Sequence, residues 1–283
     1  RCFVSVLSQL VLKPLVCWSV VVSCLSYLCR HLCCFLMIRR PPGSTLFPYT
    51  TLFRSRKVLL CDLDLGLANV DIMLRVPTSR TLVDAITGRC EFAECVSIGP
   101  CGVHLIAGGS GESGWGDANR SRREQILEGL RTLGADYDLI LCDGAAGIGG
   151  DVLGLAAAAD RVLLVTTPDA AALTDAYGLL KALDAYALAE DLEVPTPDLV
   201  LNLAASREEA QEACHKLRRV SERFLCRSPR RVGWIPDSAD VRRAATKQAA
   251  FVDSYAESLA ARCVGDIASL LDSGTPELVL GAS

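Results

Sequence analysis

Two apolar runs in this sequence end in aspartate. Lys57–Cys61 leads into Asp62-Leu63-Asp64 and then Leu65-Gly66-Leu67-Ala68-Asn69-Val70-Asp71, and Leu139–Cys142 leads into Asp143 and Gly144-Ala145-Ala146-Gly147. An apolar strand that closes on a carboxylate and a glycine-rich turn can hold Mg²⁺ through water and bring backbone N–H groups against phosphate. The same residue type also caps strands and helices without doing chemistry. What separates the two roles is whether the elements deliver Asp62, Asp64 and Asp143 to one place.

From Arg56 onward, short Leu- and Val-rich runs alternate with helical stretches, the pattern of repeated β-α units. Strands are expected at Lys57–Cys61, Val103–Ile106, Leu139–Cys142, Val162–Thr166, Leu199–Asn202 and Val232–Ile235. They lack polar alternation, as strands covered on both faces do. Helices are expected at Arg120–Leu133, Gly150–Ala158, Ala171–Leu188, Glu208–Phe224, Ala239–Lys247 and Ser254–Leu271, with a loose surface loop at Gly108–Gly116. The fold class is therefore α/β, a mostly parallel sheet flanked by helices, in one domain over 56–272 with a flexible tail at 273–283. In such sheets ligands bind at the carboxyl ends of the strands, which puts all three aspartates on one edge.

The 283 residues are 51% hydrophobic and 22% charged with a net charge of −4, which excludes a disordered polymer and a general nucleic-acid binder. The composition breaks near residue 55. Residues 1–55 hold six basic and no acidic residues, and Cys2, Cys17, Cys24, Cys29, Cys33 and Cys34 crowd into their first part. The apolar run Pro14–Cys29 falls short of the ~17–25 residues of a membrane helix. Met37–Ser55 (MIRRPPGSTLFPYTTLFRS) resembles the translation of a short-read sequencing adapter and departs from it only at Gly43. Residues 1–55 are accordingly expected to be foreign to the domain, with neither helix nor strand pattern in 37–55.

Six segments, VLLCDLDLGLANVDIML, TLVDAITG, YDLILCDGAAGI, VLLVTTPDAAALTDAY, LVLN and VGWIPDSADVRRA, are similar in order and spacing to the MinD/ParA family of deviant-Walker ATPases, most of all to its flagellar-number regulators of the FlhG/FleN type. The resemblance covers about 56–252. It implies ATP and Mg²⁺ as cofactors, an ATP-dependent homodimer, and a flagellar or other regulatory protein as partner. By the same resemblance, Asp143 is the Walker B aspartate that supports Mg²⁺ through water, Asp64 orients the attacking water, and Asp62 lies near the metal. Gly144–Gly147 matches switch II, with Gly147 toward the nucleotide. Asn202 reads adenine, and Pro236 opens the base-clamping loop. Two positions depart from the pattern: Gly144 stands where the family usually has Ser or Thr, and Ser238 where an acidic residue is frequent.

Family members begin with a strand, a KGGxGKT loop and a helix, an element due directly before Arg56. None of the five lysines, Lys13, Lys57, Lys181, Lys216 and Lys247, follows a glycine, so G-x-x-x-x-G-K-[ST] occurs nowhere in the chain. The expectations are a chain that does not bind or hydrolyse ATP, and low solubility from the open ladders of the lost strand's neighbours. Alternatives are a non-catalytic binding module or partner subunit, and a chromosome- or plasmid-partitioning ATPase.

The remaining features carry less. Cys61 and Cys142 read as buried hydrophobes, and Cys90, Cys95 and Cys101 lack the spacing of a metal pair. Unpaired thiols imply the cytoplasm, with a place at the inner face of the membrane left open. A basic cluster, Lys216, Arg218, Arg219, Arg223, Arg227, Arg230 and Arg231, reads as a solvated face balanced by Glu208, Glu209, Glu212 and Glu222. The apolar stripe Tyr255, Leu259, Val264, Ile267, Leu270 and Leu271 is expected to pack on the domain, which argues against membrane attachment.

Overall fold

The computed structural model describes residues 34–39, 57–65, 68–99, 102–109, 120–144, 148–248 and 251–273. Gly147, the Pro14–Cys29 run, the tail beyond 273 and most of the Gly108–Gly116 loop lie outside them. The strands are β1 (Cys34–Arg39), β2 (Val58–Leu63), β3 (Val96–Ile98), β4 (His104–Ile106), β5 (Leu139–Gly144), β6 (Arg161–Thr166), β7 (Asp198–Ala204) and β8 (Arg231–Pro236). They form one eight-stranded sheet in the order β3-β4-β2-β5-β1-β6-β7-β8. β2 pairs in parallel with β4 and β5, and β7 with β6 and β8, whereas β3 and β1 run antiparallel to their neighbours.

Strand residues alternate between two cores, which is why both faces read as apolar. Val58, Leu60, Leu139, Leu141, Leu163 and Val165 face α1 (Val70–Leu74), α7 (Ala239–Thr246), α8 (Phe251–Ser254) and α9 (Leu259–Ser273). Leu59, Cys61, Ile140, Cys142, Val162 and Leu164 face α2 (Leu82–Ile86), α3 (Arg120–Gly134), α4 (Gly150–Ala157), α5 (Ala170–Glu190) and α6 (Arg207–Leu225). At ~25 cal/mol per Å² of apolar surface removed from water, these two layers dominate the stability of the fold.

All six expected strands form, each within about two residues of its expected bounds. The structure adds the short α1, α2 and β3 and a 3₁₀ turn at Phe92–Cys95, all of them too brief to show a period in sequence. It also corrects the last helix. Ser254–Leu271 is not continuous, because the Ser258 hydroxyl accepts the Ala261 amide at 3.1 Å and starts α9 one turn later. Val264, Ile267 and Leu270 are buried as expected, but Leu259 is 48% exposed. Gly233 lets α9 lie on β8, since a Cβ there would collide with the Ile267 side chain.

β1 comes from the segment that composition sets apart. Residues 34–39 were expected to lie outside the domain, yet their backbone takes the central position between β5 and β6. Leu36 is in register with Asp143 on one side and Leu163 on the other. The ladders of β5 and β6 are therefore closed, which removes the premise of the low-solubility expectation. The direction is antiparallel: Cys34 pairs with Val165 near the carboxyl ends of the parallel strands, and Arg39 pairs with Ile140 near their amino ends. A parallel strand needs a long crossover to enter such a sheet, whereas an antiparallel one does not.

Candidate functional site

β2 and β5 end side by side, with Asp62 in register with Asp143 and Leu63 with Gly144. Asp62 and Asp143 are buried, and Asp64 is half-buried one turn beyond. The structure thus brings together the three carboxylates singled out in sequence. Asp62, expected near the metal, spends both oxygens on backbone. Its Oδ1 accepts the Asp64 amide at 3.0 Å, and its Oδ2 accepts the Asn69 and Val70 amides at 3.1 and 3.2 Å. Those amides include the first of α1, whose own N-cap residue Asn69 supplies no side-chain cap, so Asp62 does the capping from the adjacent strand. Burial pushes its carboxyl up to about 6, against the pull of the three amides.

The loop carrying Asp64 rests on Gly108. A Cβ on Gly108 would stand 2.9 Å from Asp62 O, Asp64 O and the Ala68 side chain. Gly108, expected in a loose surface loop, is buried, and Ala107 O and Gly108 O accept the first amides of α2. The only signal in sequence was the Gly108-Gly109 pair just past β4, a place where backbones can approach closely.

Asn202 and Pro236 come to the same carboxyl edge, at the ends of the neighbouring β7 and β8, where Ala204 is in register with Pro236. Asn202 is fully buried. Its Oδ1 accepts the Leu203 amide at 3.0 Å, while its Nδ2 has no hydrogen-bond partner among the described residues. Leu203 has φ +55°, and the register against β8 slips between Leu201 and Ala204, so the strand kinks at this residue. Gly147, the remaining sequence candidate, lies outside the described residues.

The far end of α1 is held by a second clasp that sequence did not reveal. Arg75 Nε donates to Gln248 Oε1 at 2.7 Å, and Arg75 Nη2 donates to Lys247 O at 3.3 Å. In return Gln248 Nε2 donates to Ile72 O at 3.2 Å. Both residues have left-handed backbone, with φ of +53° and +49°. Gln248 follows α7, the helix that begins just after Pro236.

A mostly parallel sheet with helices on both faces, and with carboxylates and a buried asparagine at the carboxyl ends of its strands, is a doubly wound type of α/β domain whose candidate residues line the edge where such sheets bind ligands. The comparisons agree. No family model matches the chain. Over 218 residues it is 34% identical to the antiactivator FleN of Pseudomonas aeruginosa, covering 77% of this chain and 76% of FleN. It is 34% identical over 134 residues to the flagellum site-determining protein YlxH of Helicobacter pylori, covering 47% of this chain and 45% of YlxH. The septum site-determining protein MinD of Pyrococcus horikoshii, solved with Mg-ADP, shares the fold with a TM-score of 0.58 at 21% identity, over 77% of this chain and 84% of that one. This chain belongs to the MinD/ParA family of ATPases, on the FleN side.

The residues present fit ATP and Mg²⁺ only in part. At the base end, a buried Asn202 amide with a donor to spare is the group an adenine acceptor would satisfy. At the phosphate end the fit fails. Beside Asp143, β1 runs away from the carboxyl edge and ends with Arg39 paired to Ile140 near the amino ends of the parallel strands, and G-x-x-x-x-G-K-[ST] is absent from all 283 residues.

Proposed function

We propose that this chain is a MinD/ParA protein of the flagellar-number kind that lacks its phosphate-binding element and, as it stands, neither binds nor hydrolyses ATP. The observation that carries the reading is the direction of β1. A phosphate loop at this site must leave a central strand at the carboxyl edge, and the strand in that position points the other way. Losing several charge-assisted hydrogen bonds of ~1.5–3 kcal/mol each lowers affinity by several powers of ten.

On this reading residues 1–55 stand where the parent protein carries a strand, a KGGxGKT loop and a helix. In that parent, Asp143 would hold Mg²⁺ through water, Asp64 would orient the attacking water, and Gly147, Asn202 and Pro236 would line the nucleotide. Asp62 is assigned to holding the Asp64 loop. The parent would dimerise on ATP and report to a flagellar partner, the latter in keeping with the name of YlxH, a flagellum site-determining protein. Among the described residues no helix is long and apolar enough to cross a membrane.

The test titrates Mg²⁺ and a fluorescent ATP analogue against this chain and against a chimera in which FleN's strand, loop and first helix replace residues 1–55. No binding by the chain up to ~1 mM, with micromolar binding by the chimera, is expected. Micromolar binding by the chain itself overturns the proposal. A long genomic read upstream of the Arg56 codon tests the parent directly, and a read that preserves the present 55 codons overturns that part.

A further inference from the structure

Cys90 and Cys95 lie on either side of the 3₁₀ turn Phe92–Cys95, with their Sγ atoms 3.5 Å apart. Cys90 is half-buried, whereas Cys95 is buried and its Sγ donates to Thr81 O at 3.0 Å. Burial pushes the Cys95 thiol up to about 12, so it stays protonated, and the Cys90 sulfur is the one that solvent reaches. Neither sulfur belongs to the aspartate and asparagine site. Both lie close to it through Thr81, which caps α2 and, with Leu65 and Ala68 of the Asp64 loop, lines a cavity of about 280 Å³.

We infer that Cys90 and Cys95 are a redox modification site, at which a hydroperoxide converts the two thiols into a reversible disulfide. The Cys90 thiolate attacks the nearer peroxide oxygen. The O–O bond breaks, hydroxide or alkoxide leaves and takes up a proton, and Cys90 is oxidised to the sulfenic acid as the peroxide is reduced. The Cys95 sulfur then attacks the Cys90 sulfur and gives up its proton. The S–O bond breaks, water leaves, and an S–S bond closes the ring. The two sulfurs, 3.5 Å apart, must close to about 2.05 Å for a bond to form. Oxidation removes the only S–H that Cys95 can offer the Thr81 carbonyl, and so acts on the α2 cap beside the Asp64 loop.

The experiment treats the reduced full chain with equimolar hydrogen peroxide, blocks remaining thiols with N-ethylmaleimide, and digests with trypsin and a glutamate-specific protease. Cleavage after Arg89, Glu91 and Glu94 separates the two cysteines. The expected product is Cys90–Glu91 joined to the 95–112 fragment, about 2 Da lighter than the two reduced pieces together, with Cys101 alkylated and the link lost in dithiothreitol. In Cys95→Ser, dimedone should trap the sulfenic acid on Cys90. In Cys90→Ser, Cys95 should remain a thiol that maleimide reaches only after unfolding. Recovery of Cys90 and Cys95 separately alkylated, a link from either to Cys101, or dimedone labelling of Cys95 in the Cys90→Ser chain overturns the proposal.

Discussion

Asp62 shows how a residue chosen for its chemistry can be held by its surroundings for a different task. Three backbone amides converge on it from a loop whose N-cap residue, Asn69, gives α1 no side-chain cap. In Asp62→Ala, amide exchange at Asp64, Asn69 and Val70 is expected to speed up by about tenfold or more, since hydrogen bonds to a charged acceptor contribute ~1.5–3 kcal/mol. Unchanged exchange at those three amides would show that the loop is held by something else. A second carboxylate, Asp84, is tied the same way. It accepts the Thr81 amide at 2.9 Å and the Thr81 hydroxyl at 3.1 Å in a capping box, and these bonds, the amide first, hold its carboxyl below the usual range. Because the folded value lies below the unfolded one of ~3.9, the bond stabilises above about pH 4 and is lost as pH falls through the folded value. Asp84→Asn should therefore cost ~1 kcal/mol in urea unfolding at pH 6, and the difference from wild type should shrink as pH falls through the folded value. Sequence placed Asp62, Asp64 and Asp143 correctly at strand ends because apolar runs mark strands. It could not show that Asp62's oxygens are taken, since Asn69 and Val70 carry no side-chain signal for what their amides do.

At the scale of elements, α1 is too short to persist without tertiary support. Its start is tied to β2 through Asp62 and its end to the segment after α7 through the Arg75–Gln248 clasp. The clasp thus joins the helix beyond the Asp64 loop to the helix beyond Pro236. A double-mutant cycle of Arg75→Ala and Gln248→Ala in urea unfolding should give a coupling of ~0.5–1.5 kcal/mol, the worth of exposed hydrogen bonds lost together. Strictly additive costs would mean that the two side chains act independently. Long elements were legible because fifteen or more residues of α3, α5 and α6 establish a 3.6 period. The clasp was not, because its partners are 173 positions apart and neither residue type is diagnostic of contact. The break between α8 and α9 was missed for a smaller reason: two serines four positions apart, Ser254 and Ser258, are equal candidates for a cap until the Ala261 amide is seen on the second.

The whole molecule depends on what fills the middle of its sheet. β5 and β6 present buried ladders on facing edges, and any six-residue extended segment that pairs with both satisfies groups that would otherwise cost ~1–3 kcal/mol each when buried. Composition set residues 1–55 apart but could not say that a short apolar piece of them would be taken up. The uptake follows from a vacancy in a parallel sheet, which is a property of the other strands. The dependence is sharpest at Leu36, which is in register with Asp143 and Leu163. Proline at a central strand position removes a ladder hydrogen bond and leaves its buried partner unsatisfied, at a cost of ~1–3 kcal/mol. Leu36→Pro should therefore lower the urea midpoint of the entire domain, with the loss seen equally by tryptophan fluorescence of Trp234 in β8 and by far-ultraviolet circular dichroism. If residues 34–39 are instead foreign to the sheet in solution, the same substitution leaves the midpoint unchanged. Asp143 would then border an open ladder, where a strand supplied in the opposite direction could carry a phosphate loop to the edge that holds Asp62, Asp64 and Asn202.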